Sequence, residues 1–131
     1  VGCSSGELIV FETSSWTQQV LIQVCPKDVW VLSVGFSSDT EFLAVGCQQG
    51  KLFVFERVYA SALAYFVGSW RQSIHIEPNA KSWITSLKFS PRNDCFAFVC
   101  RYPYHLMIHR TRSWECLYSI DSVVHSVDFS P

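Results

Sequence analysis

The stretch "VGCQQGKLFVFE", Val45 to Glu56, repeats the opening "VGCSSGELIVFE", Val1 to Glu12, at an offset of 44 residues with eight of twelve positions identical. A repeat this close means that one supersecondary unit is used more than once, each copy burying its apolar face against the next. Within the two copies, "SSGE" and "QQGK" place Gly6 and Gly50 where a short hairpin requires positive φ. The segment after the turn is apolar at both parities, Leu52 and Val54 against Phe53 and Phe55, as expected of a strand whose sheet is covered on both faces.

A second sentence occurs three times: "VLSVGFS" at 31–37, "ITSLKFS" at 84–90 and "VHSVDFS" at 124–130. Each reads as a short strand. Turn residues stop the first two, "SDT" and "PRND", and Pro131 follows the third. The Phe-to-Phe intervals of 53 and 40 residues bracket the period of about 40 to 45 of a four-stranded repeat unit. A second apolar strand follows, "EFLAVGC" or "DCFAFVC", then a tight turn and a third strand, "KLFVFE" or "HLMIH". A less regular fourth strand completes each copy, "QQVLIQV", "ALAYFVG" and "WECLYSI". The unit is therefore a four-stranded antiparallel sheet connected in sequence order.

This succession, V-x-S-x-x-F-S, then L-A-x-G, a turn with Gly, and L-x-V-aromatic-acid, resembles the WD-repeat family of β-propellers over nearly the whole chain. The resemblance implies an all-β fold of four-stranded blades. A β-sandwich does not demand this order at this period. The blade boundaries expected are 1–24 for the end of one blade, 25–68 for a second, 69–120 for a third with an inserted connection at 69–83, and 121–131 for the first strand of a fourth. Closed propellers have about four to eight blades, so the expectation is an incomplete ring, a piece of a longer protein, that pairs with itself through open strand edges.

In the family, Trp-Asp ends the third strand and joins a Gly-His pair, a Ser and an Asp in a hydrogen-bonded tetrad. Here Phe11 and Phe55 stand at the Trp position without an N–H, Glu12 and Glu56 replace the Asp, and the third copy reads His109-Arg110. No Gly-His pair occurs. Apolar packing is expected to carry the blades instead.

Two departures from the repeat mark the candidate site: the connection "SWRQSIHIEPNAKSW", 69–83, and "RYPYH", 101–105, in place of the Gly turn. The propeller topology implied by the resemblance puts both on one face, where partners of the family usually dock. Trp70, Arg71, Trp83, Arg101, Tyr102, Tyr104 and His105 are the candidate partner-binding residues, since Trp, Tyr and Arg dominate interface energetics. Arg101, His105 and Lys81 suit an acidic or phosphorylated motif. The alternative for the two tryptophans is that they anchor the longer loop.

Composition narrows the classes. The chain has 131 residues, 49% hydrophobic and 15% aromatic, and a net charge of −1, which argues against general nucleic-acid binding. Charge is uneven: residues 1–56 set two lysines against six carboxylates, whereas 81–112 set Lys81, Lys88, Arg92, Arg101, Arg110 and Arg112 against Asp94. The longest uncharged apolar-leaning run, Val58 to Trp70, is 13 residues, too short to span a bilayer. Cys3 and Cys47 are positional equivalents in separate units and Cys100 follows the same pattern, so the six cysteines read as reduced thiols of an intracellular, cytoplasmic or nuclear chain.

Other constellations carry little. Cys95, Cys100, His105 and His109 invite zinc, but residues five apart on a strand point to opposite faces. His125, Ser126 and Asp128 share one short strand and cannot converge as a triad. No phosphate loop or paired catalytic carboxylates occur. The expectation is a non-catalytic scaffold for protein partners, without cofactor or metal and part of a complex. The alternative is a structural wall of a large assembly with no discrete ligand site.

Overall fold

The computed structural model describes residues 1–58, 69–78 and 81–131. The described residues form ten strands: β1 (Glu7–Glu12), β2 (Thr17–Gln23), β3 (Val31–Phe36), β4 (Phe42–Cys47), β5 (Leu52–Val58), β6 (Ser69–Ile76), β7 (Trp83–Phe89), β8 (Cys95–Arg101), β9 (His105–Arg110) and β10 (Cys116–Asp121). β1 and β2 form a two-stranded sheet, β3 to β6 a four-stranded one and β7 to β10 another, with consecutive strands antiparallel neighbours in each. Two full blades and part of a third make an incomplete β-propeller with no closed ring.

The double-parity strands sit where their pattern demands. All six residues of β4 are buried. Phe42, Ala44, Leu52 and Val54 join one core cluster with Ile84, Leu87, Phe96 and Phe98 of the following sheet. Leu43, Val45, Phe53 and Phe55 join a second with Leu8 and Val29 on the preceding side. The middle sheet is thus covered on both faces because alternate side chains of β4 and β5 serve different cores.

Spacing between the sheets is set by a repeat position. A Cβ on Gly46 would lie 2.5 Å from Ile84 Cγ2, and one on Gly2, its equivalent in the first copy, would overlap the Val31 side chain. In both places the first strand of one unit lies directly on a glycine of the unit before. The serine at the centre of the repeated sentence makes the polar link: Ser33 Oγ donates to the Ile84 carbonyl at 2.9 Å, and the Val127 N–H donates to Ser86 Oγ at 3.5 Å.

The turns between first and second strands are also built alike. Ser37 Oγ donates to Asp39 at 2.6 Å and accepts from the Phe42 N–H, while Ser90 Oγ donates to Asp94 at 2.6 Å and accepts from the Cys95 N–H. Thr40 and Asn93 take the left-handed conformation there. Ser38 bonds Asn93 Oδ1 and the Pro91 carbonyl, tying the two turns together.

Three expectations are corrected or bounded. Ser69–Ile76, expected inside an inserted connection, is instead the outer strand β6, antiparallel to β5 along its length with a bulge between Val54 and Phe55. Ile74 and Ile76 pack against the core shared with the third sheet, and Trp70, beyond a bulge, packs against the core shared with the first. The segment "ALAYFVG", expected as that strand, falls on residues 62–68, outside the described residues. "VHSVDFS" lies extended beside β7 but is not a strand, because a ladder needs a partner and none of the described residues pairs with it.

Candidate functional site

The β8–β9 hairpin carries the departure "RYPYH" to one end of the third sheet. Trp83 opens β7 opposite Arg101 in the ladder, and Cys100 lies opposite His105. Tyr102 takes a φ of 62°, a conformation the corresponding turns give to Gly6 and Gly50. Its ring meets Trp83 edge-on at 6.0 Å and Tyr104 at 5.6 Å, and Tyr104 meets His125 at 6.0 Å. Trp83 is 42% exposed and Tyr102 58%. These rings lie on the surface, so they do not anchor a loop from beneath.

The charged members are partly engaged. Arg101 Nη2 lies 2.9 Å from His125 Nδ1; since a guanidinium only donates, that nitrogen is the acceptor. His105 Nδ1 bonds Asp121 Oδ1 at 2.5 Å across β9 and β10. That carboxylate already occupies His105 and argues against an anion there.

Trp70 and Arg71 are not at this end. β6 runs antiparallel to β5, with Ile76 opposite Leu52 and Trp70 opposite Arg57, so Trp70 lies about 20 Å away along the strand. It packs edge-on against Phe36 at 5.8 Å, with the Arg57 guanidinium 5.9 Å from its ring. Arg71 pairs with Glu56 at 3.1 Å. Before β7 it is residues 81–82 that reach the candidate end, where the Ser82 carbonyl accepts the Gly50 N–H at 2.5 Å.

Sequence reasoning missed Trp30. It stands immediately before "VLSVGFS" as Trp83 stands before "ITSLKFS", and this shared register is the signal that would have found it. Trp30 is 51% exposed, and its backbone exchanges hydrogen bonds with Gln48, through Gln48 N–H to the Trp30 carbonyl at 3.0 Å and the Trp30 N–H to Gln48 Oε1 at 3.2 Å. The hairpin 48–50 therefore lies between Trp30 and Ser82, and Trp30 and Trp83 crown the same end. Val123, before the third sentence, is 67% exposed.

The other constellations are dispersed. Cys95 lies opposite Arg110 at the far end of β8 from Cys100. His109 is buried against Phe96 and Phe98, with Nδ1 at 2.9 Å from the Trp114 carbonyl, so it takes the core place that Phe55 holds in the preceding unit. His125 faces Arg101 while Asp128 lies 4.0 Å from Lys88. Among the described residues no three His, Cys, Asp or Glu side chains gather as a metal would require, and no helix is long and apolar enough to cross a membrane.

No protein-family model and no curated protein matches the chain. Solved structures do match it. The structure of U3-55K aligns with a TM-score of 0.72 at 12% identity, over 92% of this chain and 35% of that one. The crystal structure of RRP9 WD40 repeats gives 0.72 and 12%, over 92% and 34%. The Cps50 (Swd1) β-propeller domain of Myceliophteria thermophila gives 0.71 and 12%, over 92% and 36%. The chain spans about a third of the length of the structures it matches. With its blade order, its repeated inter-blade glycine and this likeness together, the chain has the fold of a WD40-type β-propeller, present as an incomplete ring.

Proposed function

We propose that the chain is a non-catalytic scaffold for protein–protein contact, and that partners dock on the end formed by Trp30, residues 81–83 and the 101–105 hairpin. The observation that carries this reading is the exposure of Trp30, Trp83 and Tyr102 at one end, while Phe, Leu and Val fill both cores. Exposed Trp and Tyr beside Arg are what interface hot spots are made of. None of these three rings belongs to either core cluster.

Arg101 and Lys81 give the end its positive charge, which favours an acidic or phosphorylated segment over a basic one. His105 has no part in this reading, because Asp121 holds it. Six unbridged cysteines support an intracellular setting, cytoplasmic or nuclear.

The test is fluorescence anisotropy with labelled acidic peptides, each with and without phosphoserine. Binding that falls steeply with salt and is lost in Trp83→Ala and Arg101→Ala, with the unfolding midpoint unchanged, supports the proposal. Binding insensitive to both substitutions, or no binding to any acidic peptide, sinks the acidic-partner reading.

A further inference from the structure

Two buried thiols face each other between the first and second units. Cys25 follows β2 and is 3% exposed; Cys47 ends β4 and is fully buried. The Cys25 Sγ–H donates to Cys47 Sγ at 2.9 Å. Packing alone does not call for this contact, since Cys100, at the place of Cys47 in the next unit, is buried among apolar side chains. Both backbones are pinned: the Cys25 N–H donates to the Gly6 carbonyl at 3.1 Å, Gln23 Nε2 donates to the Cys25 carbonyl at 2.6 Å, and the Cys47 N–H donates to the Lys51 carbonyl at 2.9 Å.

We infer that Cys25 and Cys47 are an oxidation site, a thiol pair that a peroxide converts into a disulfide joining the first unit to the second. A disulfide needs the sulfurs about 0.9 Å closer than they stand. The roles of the two differ. The hydrogen bond shared with Cys47 holds the Cys25 thiol below its ordinary value, with burial opposing and the Lys51 charge helping. The same hydrogen bond and burial push Cys47 up. Cys25, the less buried of the two, is the sulfur a peroxide reaches first, so it is the attacking sulfur and Cys47 the resolving one.

The chemistry balances with the peroxide as sole oxidant. The Cys25 thiolate attacks one peroxide oxygen, the O–O bond breaks, and the departing hydroxide takes up a proton as water, leaving a sulfenic acid on Cys25. The Cys47 sulfur, losing its proton, then attacks the Cys25 sulfur; the S–O bond breaks and a second water leaves. Two thiols lose two electrons and one peroxide becomes two waters. The bond would clamp the 25–30 connection, which ends at Trp30, onto the strand that leads into Gln48, directly under the candidate docking end.

The experiment treats the protein with hydrogen peroxide, alkylates the remaining thiols in denaturant and maps peptides by tandem mass spectrometry. The expected product is a Cys25–Cys47 link about 2 Da lighter than the dithiol, reversed by dithiothreitol and formed at least about tenfold faster than Cys100 oxidises. Cys47→Ser should leave a Cys25 sulfenic acid that dimedone traps. Should that variant not fold, the time course of the link in the unaltered protein decides alone. Full alkylation of Cys25 and Cys47 after the exposed Cys116 has oxidised overturns the inference, as does a link from Cys47 to Cys3, which shares the tryptic peptide of Cys25.

Discussion

Phe11 and Phe55 occupy the same place in the repeat, each followed by Glu, yet the fold treats them differently. Phe55 is 4% exposed and packs in the core shared by the first and second units, with Trp70 and Val34 against the same cluster. Phe11 is 39% exposed and borders an open apolar groove with Trp16 and Phe36. Truncating Phe55 to Ala removes a fully buried ring and leaves a cavity that β4 and β5, fixed by their ladders, cannot close. The expected loss is about 3 to 5 kcal/mol. Phe11→Ala removes a ring that water already reaches and should cost below about 1 kcal/mol. The assay is urea unfolding followed by tryptophan fluorescence in the 131-residue chain, with the two variants beside the parent. At roughly 3 to 5 °C per kcal/mol for a chain of this size, Phe55→Ala should also lower Tm by at least about 10 °C. Equal losses for the two would refute the unequal burial of the two copies. A loss below about 1 kcal/mol at Phe55 would refute the strand pairing itself.

Gly46→Ala should destabilise by about 1 to 3 kcal/mol, because the added carbon meets the buried Ile84, and a double-mutant cycle with Ile84→Ala should recover part of that loss. Asp39 and Asp94 yield a pH dependence. Burial tends to raise Asp39, but the Ser37 hydroxyl, the Glu41 N–H and Arg112 outweigh it; Asp94 is lowered chiefly by the Ser90 hydroxyl. A carboxyl lowered on folding adds stability above its unfolded value, 3.8 here, and loses it as pH falls through the folded value. The parent should therefore lose stability more steeply than Ser37→Ala/Ser90→Ala as pH drops from about 5 to about 2; parallel curves would count against these caps. In maleimide labelling of the native chain, the exposed Cys116 should react first and Cys100, whose thiol burial pushes up to about 11, among the last, with all six reacting after reduction and denaturation.

Much of the architecture was legible in the sequence by itself. Repetition, turn residues and double-parity apolar strands are local signals, and hydrogen-bonded hairpins between consecutive strands follow from them without knowledge of distant contacts. Gly2 and Gly46 belong to the same class, for a repeated glycine marks a repeated close approach. The hairpin 101–105 stood out as a departure because the rest of the repeat was regular enough to show it.

Only the tertiary structure decided which end of a strand each side chain reaches and what it meets there. A strand's direction depends on where its chain turns, and β6 lies at 69–76 in place of the expected connection, which carries Trp70 and Arg71 to the far end of the sheet. Trp30 gained its place at the same end as Trp83, across the 48–50 hairpin, from the packing of one unit on the next. His105 was occupied by Asp121, and Cys25 met Cys47, across separations that periodicity does not encode. Local pattern determines which residues form strands and which faces they bury. Convergence of side chains from different units depends on how closely those units stack, and that distance is set by the glycines and aliphatic side chains between them.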